Sequence, residues 1–321
     1  MQSLWVENNI LSVRNDLPIP ALEAGQALIR VRLAGVCSTD LAVLGGYSPF
    51  VGVPGHEFVG QVVAAPDAPE WVGQRVVGEI NITCGVCAAC RAGRKTHCEK
   101  RSALGIHSWN GAFAEYLKLP LANLYRVPDT LSDEGAVFTE PLAAALEIQE
   151  QLPGLGSERI LVVGAGRLGQ LVAQTLALTG CDLQVIARYP RQRQLLERRQ
   201  IAWLPEEALP MGCMDVVVEA TGSPAGFEMA RKALRARGTL VLKSTYKGDV
   251  TLNLSSLVVD EITLIGSRCG PFEPALALLA NGQVDPRDQI EACYPLAQAQ
   301  QAYEEAGQHG RIKVLLAPSS G

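Results

Sequence analysis

The chain contains no run of about 18 apolar residues, so no segment is expected to cross a bilayer as a helix. Its opening, Met1-Gln2-Ser3-Leu4-Trp5, lacks the charged-then-apolar layout of a secretory signal. There is no long basic run, and a net charge of −5 over 321 residues is mild. Nucleic acid and anionic membrane surfaces are therefore not expected partners. Internal repeats and low-complexity tracts are missing, which excludes solenoid and disordered designs. Nine cysteines without an export signal point to a reducing, cytoplasmic setting and to metal rather than disulfides.

What is present suits a two-domain enzyme. At roughly 150 residues per domain the length suggests two domains, and an apolar fraction of 48% can fill two cores. The most informative stretch is Cys84-x-x-Cys87-x-x-Cys90-x7-Cys98. Four thiolates can close a tetrahedral zinc site, and closely spaced cysteines in one short loop are how such sites are built. An all-sulfur site has no open position, so this zinc is expected to be structural. The alternative is a cluster of buried thiols or disulfides. Cys181, Cys213, Cys269 and Cys293 are scattered and read as small buried hydrophobes.

The texture changes near residue 145. Before it, short β-rich pieces (27–33, 58–64, 74–79 and 113–118) alternate with Gly and Pro turns, as in a rolled, partly antiparallel β domain. After it, apolar runs at 160–163, 183–187, 215–219, 239–242 and 263–265 predict a parallel sheet covered on both faces. The expected division is 1–145 with 290–321 for the β-rich domain, its cysteine lobe at 84–98, and 146–289 for the sheet domain.

The first run of the sheet domain leads into Gly164-Ala165-Gly166-Arg167-Leu168-Gly169, followed by a predicted helix. That pattern is weak alone, but here it follows a strand, opens a helix and precedes another strand, the setting of a dinucleotide fingerprint. Gly164 allows the turn, Gly166 lets the backbone approach a pyrophosphate, and Gly169 lets helix and strand pack closely. The phosphates would sit at the helix N-terminus. An NAD enzyme usually carries an acidic residue at the end of the next strand. Here Ala187 stands at that position, followed by Arg188, with Arg193 close by. Asp182 lies at the wrong end of the strand, roughly 16 Å away. A small residue followed by arginines suits a 2′-phosphate, which predicts NADP(H) over NAD(H). The alternative is that these arginines only solvate the next helix.

A third constellation joins Cys37 in Gly-Val-Cys-Ser-Thr-Asp, His56 in Gly-His-Glu and Glu140 in Thr-Glu-Pro-Leu. Thiolate, imidazole and carboxylate make three ligands of a catalytic zinc with one position open. Spacing alone does not join them, and each could be structural.

Taken together, the GVCSTD, GHExxG, four-cysteine, EPL and GAGRLG motifs resemble the zinc-dependent medium-chain dehydrogenases of the alcohol dehydrogenase superfamily, from about residue 25 to 270. Glu140-Pro141 is similar to their polyol and threonine dehydrogenase branch. The resemblance implies an α/β protein, with a GroES-like β-rich catalytic domain and a Rossmann doubly wound parallel-sheet domain. It implies two zinc ions per chain and an NADP(H)-linked exchange between an alcohol and a carbonyl compound. Cys37, His56 and Glu140 are the implied ligands, Glu57 either supports them from behind or is an exchangeable ligand, and Asp40 is the carboxylate that orients His56. Thr39 matches the hydroxyl that starts a proton relay, and Thr221 lies in the strand end near the cofactor. A homodimer or homotetramer is implied, through the edge segment 262–266. The chain is short for this family, and no His stands at the later relay position near the ribose. Tyr47, Phe50 and Trp109 could line the substrate pocket, with Ser38, His107 and Asn110 binding a polyol. A zinc-independent quinone or enoyl reductase, or a non-catalytic NADP(H) sensor, are the rival expectations.

Overall fold

The computed structural model describes residues 1–46, 49–246 and 249–318. A hairpin of β1 (Ser3–Glu7) and β2 (Ile10–Arg14) opens the chain, followed by β3 (Gln26–Val36), α1 (Ser38–Leu44), β4 (Glu57–Ala64) and β5 (Arg75–Gly78). Next come β6 (Asn81–Ile82), α2 (Ala88–Arg91), β7 (Ser102–Leu104), β8 (Ser108–Trp109), β9 (Tyr116–Pro120), β10 (Leu124–Arg126), α3 (Asp133–Ala136) and α4 (Thr139–Gln151). Then alternation sets in: β11 (Arg159–Val163), α5 (Arg167–Ala177), β12 (Asp182–Ile186), α6 (Pro190–Arg198), β13 (Ala202–Leu204), β14 (Met214–Glu219), α7 (Pro224–Ala233), β15 (Leu234–Leu242), α8 (Leu254–Val259) and β16 (Thr263–Gly266). The chain closes with α9 (Phe272–Ala280), β17 (Ile290–Pro295), α10 (Ala299–Ala306) and β18 (Lys313–Ala317).

Two compact units result. The first holds Met1–Glu140 with Phe272–Gly321, the second Pro141–Pro271. The division falls a few residues before the expected 145/146 and well before the expected 290. Helix α9 accounts for the second difference. Its Phe272 stacks on Tyr125 with ring centroids 5.3 Å apart, which ties the helix to the first unit. An apolar helix reads the same from sequence whichever core it serves.

In the first unit, seven strands form one sheet in the order β10-β5-β4-β3-β18-β17, with β9 also on β3. All pairs are antiparallel except β17 with β18. In the second unit the order β13-β12-β11-β14-β15-β16 is wholly parallel. In chain order this is 3-2-1-4-5-6, the doubly wound dinucleotide-binding topology. Its central strands β11 and β14 are almost entirely buried, as expected where helices cover both faces. Among the described residues no helix is long and apolar enough to cross a membrane.

All nine cysteines are free thiols. The expectation of buried, scattered cysteines does not hold, since Cys181, Cys213 and Cys269 are only half-buried and Cys293 is exposed.

Candidate metal centres and dinucleotide site

Strand β3 ends at Val36, and Cys37 caps α1 immediately afterwards. The third helical residue is Asp40, whose Oδ2 accepts from the Cys37 amide at 2.8 Å. This capping arrangement fixes Cys37 at the edge of the sheet and buries Asp40 completely. His56 sits just before β4 and Glu57 opens it, and β4 pairs with β3 so that Glu57 lies opposite Gly35. Local helix capping and one strand register thus bring Cys37, His56 and Glu57 together, with one ligand atom of each within 4.8 Å of the others.

Inside this pocket His56 Nδ1 faces Asp40 Oδ1 at 3.2 Å, without the alignment of a hydrogen bond. Burial alone would hold the imidazole neutral, but the closeness of Asp40 and Cys37 outweighs it and raises the His56 pKa well above the ordinary value. A desolvated pocket that draws a proton onto imidazole is one that attracts a cation. Thiolate, imidazole and carboxylate also make the donor set of an open zinc site, so the residues fit a catalytic zinc. Thr39 Oγ1 lies 3.8 Å from Cys37 Sγ. Glu140, in the first turn of α4, is half-buried and has interactions of its own. It does not join the three residues whose ligand atoms come together.

The residue that spacing could not supply is Lys313. It opens β18, which pairs with β3, and its Nζ donates to Glu57 Oε2 at 2.5 Å with both side chains buried. Lysine as the first residue of the apolar run Lys313–Ala317 was the available signal.

The four-cysteine lobe runs from Cys84 through α2 to Cys98. One sulfur of each cysteine lies within 4.8 Å of the other three. Cys98 Sγ is 3.5 Å from Cys84 Sγ and accepts from the Cys84 amide at 3.3 Å. The backbone amides of Glu99 and Cys90 pull the Cys87 thiol down to about 6. Burial, reinforced by the neighbouring thiols, pushes Cys90 up to about 12. One thiol is readily ionised while its neighbour, desolvated and hydrogen-bonded to the other thiols, resists. A zinc ion removes that conflict and lets all four ligate, so the lobe fits a structural zinc.

The glycine motif occupies the turn from β11 to α5. Gly164 has φ of +105°, a conformation side chains rarely adopt. A Cβ on Gly169 would run into the Gly164 carbonyl, whereas one on Gly166 would meet open space. Gly166 is the N-cap of α5, and Arg167 and Leu168 are its first helical residues. The backbone therefore leaves room for a ligand where a pyrophosphate would lie at the helix N-terminus. Ala220 and Thr221 pack against Gly164 from the end of β14. Thr221 is itself held by the buried Glu219 carboxylate, which accepts from the Thr221 amide at 2.6 Å and the Gly222 amide at 3.1 Å.

Ala187 follows β12 and is fully buried. Arg188 is exposed and pairs with Glu206 at 2.7 Å. Arg193 does something different. It donates to the carbonyls of Ala187 and Arg188 at 3.0 Å each and stacks over Trp203 at 4.6 Å. Of the two arginines, Arg188 projects outward and Arg193 braces the turn.

The suggested pocket residues divide. Tyr47 lies outside the described residues. Phe50 is buried with Val6 and Val43. Trp109 donates to the Lys118 carbonyl at 2.9 Å, and the Lys118 ammonium lies 5.7 Å from its ring centre. Asn110 Oδ1 accepts from the Val53 amide at 3.0 Å. Phe50, Trp109 and Asn110 are thus engaged in holding loops.

Residues 23–129 match the alcohol dehydrogenase GroES-like domain. D-arabinitol dehydrogenase 1 of Uromyces fabae is 31% identical over 94% of this chain and 92% of its own length. L-galactonate-5-dehydrogenase of Escherichia coli K12 is 29% identical over 91% and 90%. A Sinorhizobium meliloti 1021 structure, described as a zinc-binding dehydrogenase and solved bound to NADP, superposes with a TM-score of 0.89. It is 29% identical and matches over 99% of each chain.

Proposed function

As a member of the zinc-type medium-chain dehydrogenases and reductases, in their polyol and threonine dehydrogenase branch, this chain is an NAD(P)-dependent alcohol dehydrogenase, and we propose that it converts a small polar alcohol or polyol and its carbonyl partner using NADP(H) and two zinc ions. The reading rests above all on Cys37 and His56 converging with a carboxylate beside Thr39. We assign the first unit to catalysis and the second to the dinucleotide.

Cys37 and His56 hold the catalytic zinc, with Glu140 or Glu57 as the carboxylate ligand. Glu57 is the one already within the ligand set. Cys84, Cys87, Cys90 and Cys98 hold the structural ion. A zinc ion in the open site supplies Lewis acidity that lowers the pKa of a coordinated hydroxyl. Asp40 holds the Cys37 amide and faces His56, which fixes the orientation of both ligands. Thr39 accepts the proton that the alcohol gives up and passes it outward. The desolvated surroundings of His56 and Glu57 keep bulk water from competing for that position. A nicotinamide dinucleotide held by the second unit would supply the hydride acceptor or donor.

Gly164, Gly166, Arg167, Leu168 and Gly169 form the pyrophosphate turn, and Thr221 borders it. The small Ala187 and the outward Arg188 favour a 2′-phosphate, with Arg193 bracing the turn. NADP(H) use favours carbonyl reduction as the physiological direction. A homodimer or homotetramer forms through the exposed edge strand β16, where Leu264 is solvent-facing. The setting is cytoplasmic.

Zinc analysis of the purified protein, with NADPH and NADH titrations and a panel of polyols and their carbonyl forms, tests this reading. Two zinc ions per chain, NADPH preference and turnover of a polyol would support it. One zinc per chain, with full turnover after the Cys37→Ser substitution, would favour a zinc-independent reductase on the same fold.

A further inference from the structure

The carboxyl edge of the parallel sheet carries a buried acid and a tyrosine whose pairing the reading above leaves unused. Glu219 ends β14 and is fully buried. It stands in register with Leu242, the last residue of β15, so the chain beyond β15 leaves the sheet beside it. Its carboxylate is held from two sides. Oε1 accepts from the Thr221 and Gly222 amides and from the Thr221 hydroxyl. Oε2 accepts from the Tyr246 hydroxyl. The Tyr246 ring is half-buried and packs on the core that holds Leu161, Val217 and Phe227. Gly222 closes the arrangement. A Cβ on it would come within 2.9 Å of the Thr245 carbonyl oxygen, so the segment after β15 lies directly on the turn after β14. A buried carboxylate with donors on both oxygens makes a stiff joint, because letting go on either side leaves a desolvated oxygen unsatisfied.

Position says what the joint serves. In a sheet of order 3-2-1-4-5-6 the dinucleotide lies across the carboxyl ends of the strands, one mononucleotide half over each side of the switch point. Here the switch point lies between β11 and β14. Ala187, at the end of β12, marks the adenosine side, and the pyrophosphate turn follows β11. The nicotinamide half then lies over the ends of β14 and β15, where the two segments joined through Glu219 stand. Thr221 also packs against Gly164, so the joint borders the pyrophosphate turn. A shift of either segment would move the floor under one half of the cofactor and leave the other half in place.

We propose that Tyr246 is a cofactor-positioning residue: through Glu219 it locks the turn after β14 and the segment after β15 into one platform for the nicotinamide half of the dinucleotide. The proposal rests on the dinucleotide reading of the second unit. It adds a positioning element at a place the glycine motif does not reach.

The test compares binding of NADPH with binding of adenosine 2′,5′-bisphosphate, which has the adenosine half alone, by calorimetry or fluorescence on the full zinc-loaded chain. Tyr246→Phe keeps the ring and removes the hydroxyl. The double variant Tyr246→Phe/Glu219→Gln removes the buried charge as well, and covers failure of the single variant to fold. Loss of a hydrogen bond to a charged group should weaken NADPH about tenfold in both variants. Adenosine bisphosphate binding should stay within about twofold. Glu219→Gln alone keeps an acceptor for the amides and a donor for Tyr246, so it should lose less than Tyr246→Phe. Equal weakening of NADPH and the bisphosphate, or of neither, would overturn the proposal and leave Tyr246 as an internal strut. Wild-type protein that bound neither NADPH nor NADH would instead overturn the dinucleotide reading, and the proposal with it.

Discussion

Glu57 and Lys313 are 256 residues apart in the chain and form one buried ion pair, Nζ to Oε2 at 2.5 Å with side chains 1% and 2% exposed. The Lys313 ammonium also lies 5.3 Å from the ring centre of Phe138, whose face offers further electrostatic support. The pair stands where Glu57 meets Cys37 and His56. One carboxylate oxygen is thereby committed to lysine while the residue remains within the metal-ligand set.

Removing the lysine should therefore cost stability out of proportion to one contact. Lys313→Met leaves Glu57 buried and uncompensated, a loss of about 3–5 kcal/mol. The double variant Lys313→Met/Glu57→Gln should recover much of it, because no orphan charge remains. Urea unfolding of both variants against wild type checks the difference. A double variant as unstable as the single would mean that packing, not charge, is what Lys313 supplies.

Gly35 makes a related prediction. A Cβ there would run into Glu57 Oε2 and come within 3.4 Å of Lys313 Nζ. The carboxylate is the far end of a flexible chain, but its lysine partner and burial hold it in place. Gly35→Ala should cost about 1–3 kcal/mol, the range for overpacking a well-filled site, and should lower zinc content along with stability. Unfolding curves read beside metal analysis would separate the two effects. Unchanged values of both would show that Glu57 can move aside freely.

The two zinc sites should respond differently to loss of a ligand. Cys90→Ser removes one of four sulfurs from a closed site, so folding energy goes with the metal. The expected result is one zinc per chain and a clearly lower melting temperature. Cys37→Ser should also leave one zinc per chain, but with a small change in melting and loss of alcohol oxidation. Comparing Glu140→Gln with Glu57→Gln by the same metal analysis identifies the carboxylate ligand, since only the true ligand's variant should drop to one zinc.

Asp215 gives the fold a specific acid sensitivity. It sits at the foot of β14 between Arg159 on β11 and Arg235 on β15, with its Oδ1 accepting from Arg235 Nε at 2.6 Å. Burial works to raise its pKa, but hydrogen bonds from Arg235 and the Arg159 amide outweigh it, so the folded value lies below the ordinary 3.8. A depressed carboxylate contributes stability that is fully present above its unfolded value and is lost as the pH falls through the folded one. Asp215→Asn should thus lower stability at neutral pH and flatten the loss of stability below about pH 4. Denaturation midpoints measured from pH 7 down to pH 2 check the slope. A variant as acid-sensitive as wild type would assign that sensitivity to other carboxylates.

How much of this could be read in the chain depends on how local each signal is. The runs at 160–163 and 215–219 are legible as β11 and β14 because the middles of strands buried on both faces are apolar, as at Leu161–Val163 and Val216–Val218. The glycine motif was legible because one turn needs a positive φ at Gly164 and another residue must allow close packing at Gly169. The four cysteines were legible for the same reason, being one loop with one geometry. Lys313 was not, because its meaning depends on β18 returning beside β3 from the far end of the chain. The sequence puts the second division near 290 while the compact units divide at 271/272, because α9 is apolar and sequence does not say which core receives it. Beside Arg188, Arg193 reads in the sequence as a second phosphate-binding arginine, whereas in the fold it donates to two carbonyls.

That last distinction gives the sharpest cofactor prediction. Arg188 projects outward and is held by Glu206 at 2.7 Å, so the carboxylate competes with a 2′-phosphate for the same guanidinium. Glu206→Gln should release Arg188 and tighten NADPH binding severalfold without affecting NADH. Arg188→Ala should weaken NADPH about tenfold and again leave NADH unchanged, because only the phosphate uses it. Arg193→Ala should weaken both cofactors together, since it loosens the turn at Ala187 that each ribose must approach. Titrating the three variants with both cofactors separates direct recognition from bracing. Should Arg188→Ala weaken NADPH and NADH equally, the arginine would be shaping the turn, and the basis for an NADP(H) preference would have to lie elsewhere on the edge of the sheet.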